Sequence, residues 1–163
     1  MQDLKLIRAT EKDIDTITQL ASVIWNQHYI AIIGQKQVDY MLKMMYSKES
    51  LREQLMTKGH LFYLISLNGV NIGFISVNET EKGEWFLNKF YIDQVKSAKG
   101  IGTRAFEEFK NLFHPSKVTL TVNKGNYKSI NFYFKLGFKI DDVAVFDIGN
   151  GFVMDDFIMV WTC

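Results

Sequence analysis

The chain predicts an α/β (α+β) fold, a single domain over residues 1–163 with a central mixed, mostly antiparallel sheet of about seven strands flanked by helices. Three observations carry that expectation. A length of 163 residues fits one domain and suffices to bury most of its apolar surface. The composition, 47% hydrophobic with 13 Phe and 7 Tyr, describes a globular core rich in rings rather than a disordered chain. Strand-like and helix-like patterns follow in the order β-α-α-β-β-β-α-β-α-β-β, which closes as one mixed sheet with helices packed on it.

Leu4 to Arg8 alternates as a short strand. Thr10 offers a helix N-cap with Asp13 in a capping-box-like position, and Ile14, Ile17, Leu20, Ala21 and Ile24 recur at helical spacing, predicting a helix from Glu11 to Gln27. Val38 to Met45 and Lys48 to Lys58 read as two further helical pieces, ended by Gly59. Phe62 to Leu67 and Asn71 to Val77 flank Asn68-Gly69, a strong hairpin signal. A polar turn over Glu79 to Glu84 leads into a strand from Trp85 to Ile92. The helix from Gly100 to Phe113 carries Ile101, Ala105, Phe109, Leu112 and Phe113 on its apolar face, and His114-Pro115 breaks it. Val118 to Val122 reads as a buried strand, and Asn126 to Leu136 as a helix that stops at Gly137. Two strands, Phe138 to Phe146 and Phe152 to Trp161, close the chain around Gly149-Asn150-Gly151.

Several function classes fall away. Formal net charge is +1 with both signs interspersed, so no basic surface for nucleic acid or an anionic membrane is expected. The single cysteine, Cys163, cannot form an internal disulfide, and no His/Cys spacing resembles a metal site. The first residues lack the layout of a signal peptide, and no apolar run approaches the ~20 residues that span a bilayer. A reducing, cytoplasmic setting is the expectation.

Lys99-Gly100-Ile101-Gly102-Thr103 lies at a helix start, where amides without internal partners attract anions and glycines let a phosphate approach the backbone. Taken alone, the motif is equally a plain tight turn. Its letters also satisfy a dinucleotide pattern, Gly100-x-Gly102-x-x-Ala105, but the context does not. The preceding strand ends near Ile92 rather than against the first glycine, and the next one ends in Val122-Asn123 without a carboxylate. Further on, Asn126 and Tyr133 lie nearly two turns apart and share one helix face. Singly they read as a cap and a core residue.

In combination, Leu87 to Ile92 followed by Lys99 to Thr103 resembles the acetyl-CoA motif of the GNAT N-acetyltransferase superfamily. Asn126 to Phe138 is similar to its second motif, Asn-x-x-Ala-x-x-x-Tyr-x-x-x-Gly-Phe, and the order of elements fits from Leu4 to Trp161. The resemblance implies acetyl-CoA as donor and direct attack by an amine in a ternary complex, with no metal. Backbone groups of Phe90, Tyr91 and Ile92 would line the pantetheine arm, and the Ile92 amide would be the oxyanion donor. Amides of Ala98, Lys99, Gly100, Ile101, Gly102 and Thr103 would hold the pyrophosphate. Asn126 would bond the cofactor arm, and Tyr133 would protonate the leaving thiolate; a phenol, with a pKa near ~10, carries its proton at neutral pH.

Two positions depart from the family pattern. Ser97 and Ala98 replace a Gln or Arg and a Gly ahead of the first motif glycine, which removes a long side chain from the phosphate. Asn88 stands where the spermidine/spermine branch has a carboxylate base, and an amide cannot take that proton. Glu84 is the nearest acidic alternative, with Glu79 behind it, although a merely solvated place in the turn is the stronger reading of both.

The acceptor is less legible. Trp25, Tyr29 and Met41, with His28, Tyr40 and Met44 nearby, could wall a substrate slot or be core at helical spacing. From Ala21 to Ser47 only Asp39 is acidic, and Asp155-Asp156 would add charge if the pocket reached them. The layout is similar to bacterial small-molecule and polyamine acetyltransferases. A small primary amine, polyamine-like, is the leading expectation; a protein N-terminus or lysine, and an acyl-CoA-binding module without turnover, are the alternatives. The apolar closing strands could pair with a second chain to make a homodimer.

Overall fold

The computed structural model describes residues 2–163. Its elements are β1 (Leu4–Arg8), a 3-10 turn (Glu11–Asp13), α1 (Ile14–His28), α2 (Ile30–Ile33), α3 (Gln35–Tyr46), α4 (Lys48–Met56), β2 (Leu61–Leu67), β3 (Val70–Glu81), β4 (Glu84–Ile92), α5 (Ile101–Phe113), β5 (Lys117–Asn123), α6 (Tyr127–Leu136), β6 (Lys139–Gly149) and β7 (Phe152–Thr162). The strands form one seven-stranded sheet in the order β1-β2-β3-β4-β5-β7-β6, antiparallel except where β4 meets β5. The predicted α/β class and strand number hold.

Alternation along the strands builds two cores, one on each face of the sheet. Phe62, Leu64 and Phe74 pack against Ile17, Ala21, Trp25, Val38, Met41, Tyr46 and Leu51 of α1, α3 and α4. On the other face Ile75, Val77, Leu87, Val118 and Leu120 meet Phe106 and Phe109 of α5 and Ile130 and Tyr133 of α6. The α1 entrance is set locally, for the Asp13 carboxylate accepts the Thr10 amide at 2.8 Å.

Four expectations are corrected. β3 runs on to Glu81, so the turn is only Lys82-Gly83 and the polar residues expected to form a loop extend the strand instead. An additional turn of helix, α2, follows α1, and α3 begins at Gln35 rather than Val38. On α5 Phe106 is buried beside the expected Phe109, whereas Leu112 is 49% exposed. β5, read as continuously buried, alternates between buried and half-buried residues.

The feature that positions the site is a split in the middle of the sheet. β4 and β5 pair only over Glu84–Phe86 and Lys117–Thr119. Immediately afterwards the β3–β4 register shifts, with Val77 opposite Leu87 and Ser76 opposite Lys89, leaving Asn88 as an extra residue. Such a bulge bends a strand and increases its local twist. β4 therefore leaves β5 at this point, and the facing edges of Leu87–Ile92 and Leu120–Asn123 open into a gap.

Candidate active site

Two cavities meet in that gap. The larger, about 440 Å³, runs between the end of β4, the loop 93–100, the start of α5 and one face of α6. The smaller, about 70 Å³, lies deeper between β4, β5, β7, α1 and α3. Tyr29, Phe90, Tyr91, Ser129 and Tyr133 line both and form the wall between them.

Phe90, Tyr91, Ile92, Ser97, Ala98, Lys99, Gly100, Gly102 and Thr103 line the large cleft together. Gly100 is the N-cap of α5 and adopts φ +85°, a left-handed conformation that suits glycine. The Ile101 amide reaches Ala98 O at 3.3 Å, and no side chain caps the helix, so its leading amides remain available to an anion. The Ile101 side chain itself is buried beneath the cleft. Lys99, Lys128 and Lys135 add positive charge, and no carboxylate lines this cavity. The sequence offered no signal for Lys128 and Lys135, whose contribution depends on how α6 is oriented.

The loop after β4 is tied in place. Asp93 Oδ1 accepts the Val95 amide at 3.0 Å, Gln94 donates to Ile92 O at 3.0 Å, and Lys128 donates to Gln94 at 3.0 Å. The Asp93 amide is bonded to Ile72 O on the β3 side at 2.7 Å. Successive amides of a strand point to opposite edges, so the Ile92 amide faces the gap.

Tyr133 is buried on α6. Burial, and then its neighbour Tyr29, holds its phenol well above the ordinary tyrosine pKa. Asn126 is the N-cap of α6 but is neither exposed nor in the large cleft. Its Oδ1 lies 2.8 Å from His28 Nε2 and accepts the Ser129 amide at 3.3 Å, and its Nδ2 donates to Tyr29 Oη at 3.2 Å. Both ends of the amide are engaged, so it joins α1 to α6 rather than presenting a free group to a cofactor arm. His28, at the end of α1, reaches the large cleft.

Trp25, Tyr29 and Met41 do line the small pocket. Trp25 stacks on Tyr29 at 4.4 Å between ring centroids, and Tyr91 tilts against Trp25 at 5.7 Å. Tyr40 is drawn away, donating to Ile148 O at 2.6 Å, and Met44 is exposed. Glu84 is not brought to the site. It begins β4 at the paired end of the β4–β5 contact, 3.6 Å from Lys117 Nζ, and lines neither cavity. Asn88 donates to Asn78 at 2.8 Å.

The pocket's one ionisable carboxylate is Asp156 of β7, opposite Asn123 of β5 and Ala144 of β6. It is 1% exposed, and its Oδ1 has no hydrogen-bond partner. The sequence offered Asp155-Asp156 as charge within reach of a pocket; only the register shows which of the two turns inward.

A positively lined glycine cleft joined through a tyrosine to an aromatic pocket is an arrangement suited to acyl transfer from a phosphorylated thioester. The family description "Acetyltransferase (GNAT) domain" matches residues 30–154, and the chain belongs to that family of acetyltransferases. A spermidine N(1)-acetyltransferase of Thermoplasma acidophilum is 24% identical over 160 residues, covering 93% of this chain and 96% of that protein. The crystal structure of the PaiA N-acetyltransferase from Thermoplasma acidophilum, in complex with coenzyme A, superposes with a TM-score of 0.81 at 23% identity, covering 99% of each chain. A GNAT-type structure from Rhodopseudomonas palustris gives 0.78 at 16% identity, covering 100% of this chain and 96% of the other.

Proposed function

We propose that this acetyltransferase moves an acetyl group from acetyl-CoA to the primary amine of a small molecule, with a polyamine-like acceptor the leading class. One observation carries the reading: Tyr133 stands where the lysine-lined glycine cleft meets the aromatic pocket that holds Asp156. The Thermoplasma relative's name supports the polyamine class. The small volume of the pocket favours a slender amine-bearing chain end.

The residues of the large cleft fit the donor. The α5 N-terminus with Gly100, Gly102 and Thr103 would hold the pyrophosphate, where unpaired amides and the helix dipole favour negative charge. A Cβ on Gly102 would come within 2.9 Å of the Phe132 ring, so this position keeps the helix start close to α6. Lys99, Lys128 and Lys135 supply countercharge, and the backbone of Phe90 to Ile92 would line the pantetheine arm. Bound there, acetyl-CoA supplies an acyl group already activated as a thioester. The Ile92 amide, facing the gap, would donate to the oxygen on which negative charge develops. Tyr133, protonated throughout the neutral range, would give its proton to the departing sulfur. Trp25, Tyr29 and Met41 would enclose the acceptor, with the ring faces favouring a cationic head.

Among the described residues no helix is long and apolar enough to cross a membrane. A cytoplasmic setting, and a homodimer through the outer strand β6 with Val143, Val145 and Phe146 exposed, belong to the same reading. Incubation with acetyl-CoA and an amine panel, following free thiol, tests the reaction. Release with short diamines and polyamines is expected; release with peptide amines alone would overturn the small-molecule assignment.

A further inference from the structure

We infer that Asp156 is the catalytic residue that receives the acceptor: its carboxylate pairs with the reacting ammonium in the small pocket and takes the proton that frees the amine for attack. The inference rests on the acetyltransferase reading above and adds the base that reading lacks.

The geometry is specific. Asp156 lies in the middle of β7, facing the gap that the β4 bulge opens, in the same pocket as Tyr133. A buried carboxylate oxygen without a partner is costly unless something binds it. The pocket's side-chain amides are already committed: Asn126 to His28 and Tyr29, Asn88 to Asn78, Gln37 to Val153 O and Asn123 to the Gly125 amide. The Thr121 hydroxyl faces the Asp156 carboxylate and favours its charged form. The remaining walls, Trp25, Tyr29, Met41 and Tyr91, suit the apolar body of an alkylamine. Glu84, at the far end of β4, is paired with Lys117 and cannot perform this task.

The charges around the group suit a base. Burial and then the adjacent Asp155 push the Asp156 carboxyl up to about 6, while Thr121 and Lys124 of the β5 side oppose the shift. Asp155 is itself held by Lys124 at 2.7 Å. The other titratable groups around the pocket are phenols: Tyr29 at the end of α1, Tyr91 on β4 and Tyr133 on α6, all pushed upward by burial and hence neutral. Asp156 is thus ionised at neutral pH but basic enough to share a proton with a desolvated amine.

The step balances. The ammonium gives one proton to Asp156. The nitrogen lone pair attacks the thioester carbonyl, the C–N bond forms, and the C–S bond breaks as Tyr133 protonates the sulfur. The second nitrogen proton, released as the amide forms, restores Tyr133, and Asp156 releases its own to solvent.

Asp156→Asn tests the assignment, because the amide fills the same space without accepting a proton. With acetyl-CoA and a polyamine, kcat/KM should fall at least a hundredfold, whereas the melting shift produced by CoA should match the native chain's. The native pH profile should lose activity below about pH 6, as the base protonates, and Asp156→Glu should retain such an acidic limb. Turnover within threefold of native, or an acidic limb that survives in Asp156→Asn, would overturn the role of Asp156 while leaving the acetyltransferase reading intact. No thiol release by the native chain with any amine would overturn that reading and, with it, this one.

Discussion

Tyr133 and Asn126 share a face of α6 but do different work. Tyr133→Phe removes one oxygen at the meeting of the two cavities, so turnover should fall about a hundredfold with CoA affinity within threefold; direct binding and steady-state rates measure both. Asn126→Ala instead strips partners from His28 and Tyr29 and should cost about 2 kcal/mol in a denaturant titration. The sequence placed Tyr133 on the helix and Asn126 at its start as a cap, but could not show that the cap is buried, since that depends on α1 reaching across from the other end of the chain. Lys89 was invisible to pattern reasoning. It points into the α3–α4 core, donates to Gln54 at 2.8 Å, lies 5.6 Å from the Tyr46 and Phe62 ring centroids, and has its pKa lowered to about 8 by burial and then by Lys58. Between about pH 8 and its ordinary value of 10.5 the unfolded chain holds a proton that the folded chain lacks, so native stability declines as pH falls through that window. The stability of Lys89→Met relative to native should therefore shrink by about 3 kcal/mol from below pH 8 to above pH 10.5, measured by urea unfolding across that range.

At the scale of elements, the central event is the departure of β4 from β5. Its length and end were legible, because Trp85 to Ile92 is a clear strand and the glycine motif follows at a fixed distance. The bulge at Asn88 was not, since nothing in Leu87-Asn88-Lys89 marks the extra residue until β3 provides a register to break. β3 also holds the end of β4 from behind: a Cβ on Gly73 would lie 2.1 Å from Tyr91 O. Gly73→Ala should thus destabilise the fold by about 2 kcal/mol and, by pushing the Tyr91–Ile92 backbone, depress turnover more than tenfold. Gly59→Ala, strained by a φ of +68° but with nothing within 4 Å of its Cβ, should cost about 1 kcal/mol and leave kcat unchanged. Thermal melts paired with rates separate the two cases.

Across the whole molecule, the sheet order brings Asp156, near the C-terminus, against Trp25 and Tyr29 near the N-terminus. Local motifs located the β4–α5 wall of the large cleft, because the residues from Phe90 to Thr103 are consecutive or nearly so, but not the α6 lysines opposite it. The small pocket is assembled from α1, α3, β4, β5 and β7, and its carboxylate could be located only once register was known. Charge divides the same way, with three lysines around one cavity and one carboxylate in the other. CoA affinity should accordingly weaken several-fold between low and high salt, as screened lysine–phosphate attraction requires. The central claim is that these two cavities carry acetyl transfer past Tyr133. The most direct measurement mixes the native chain with acetyl-CoA and a panel of short amines, following free thiol and acetylated product together. Stoichiometric thiol and N-acetylamine are predicted; stabilisation by CoA without either product from any amine would contradict the account.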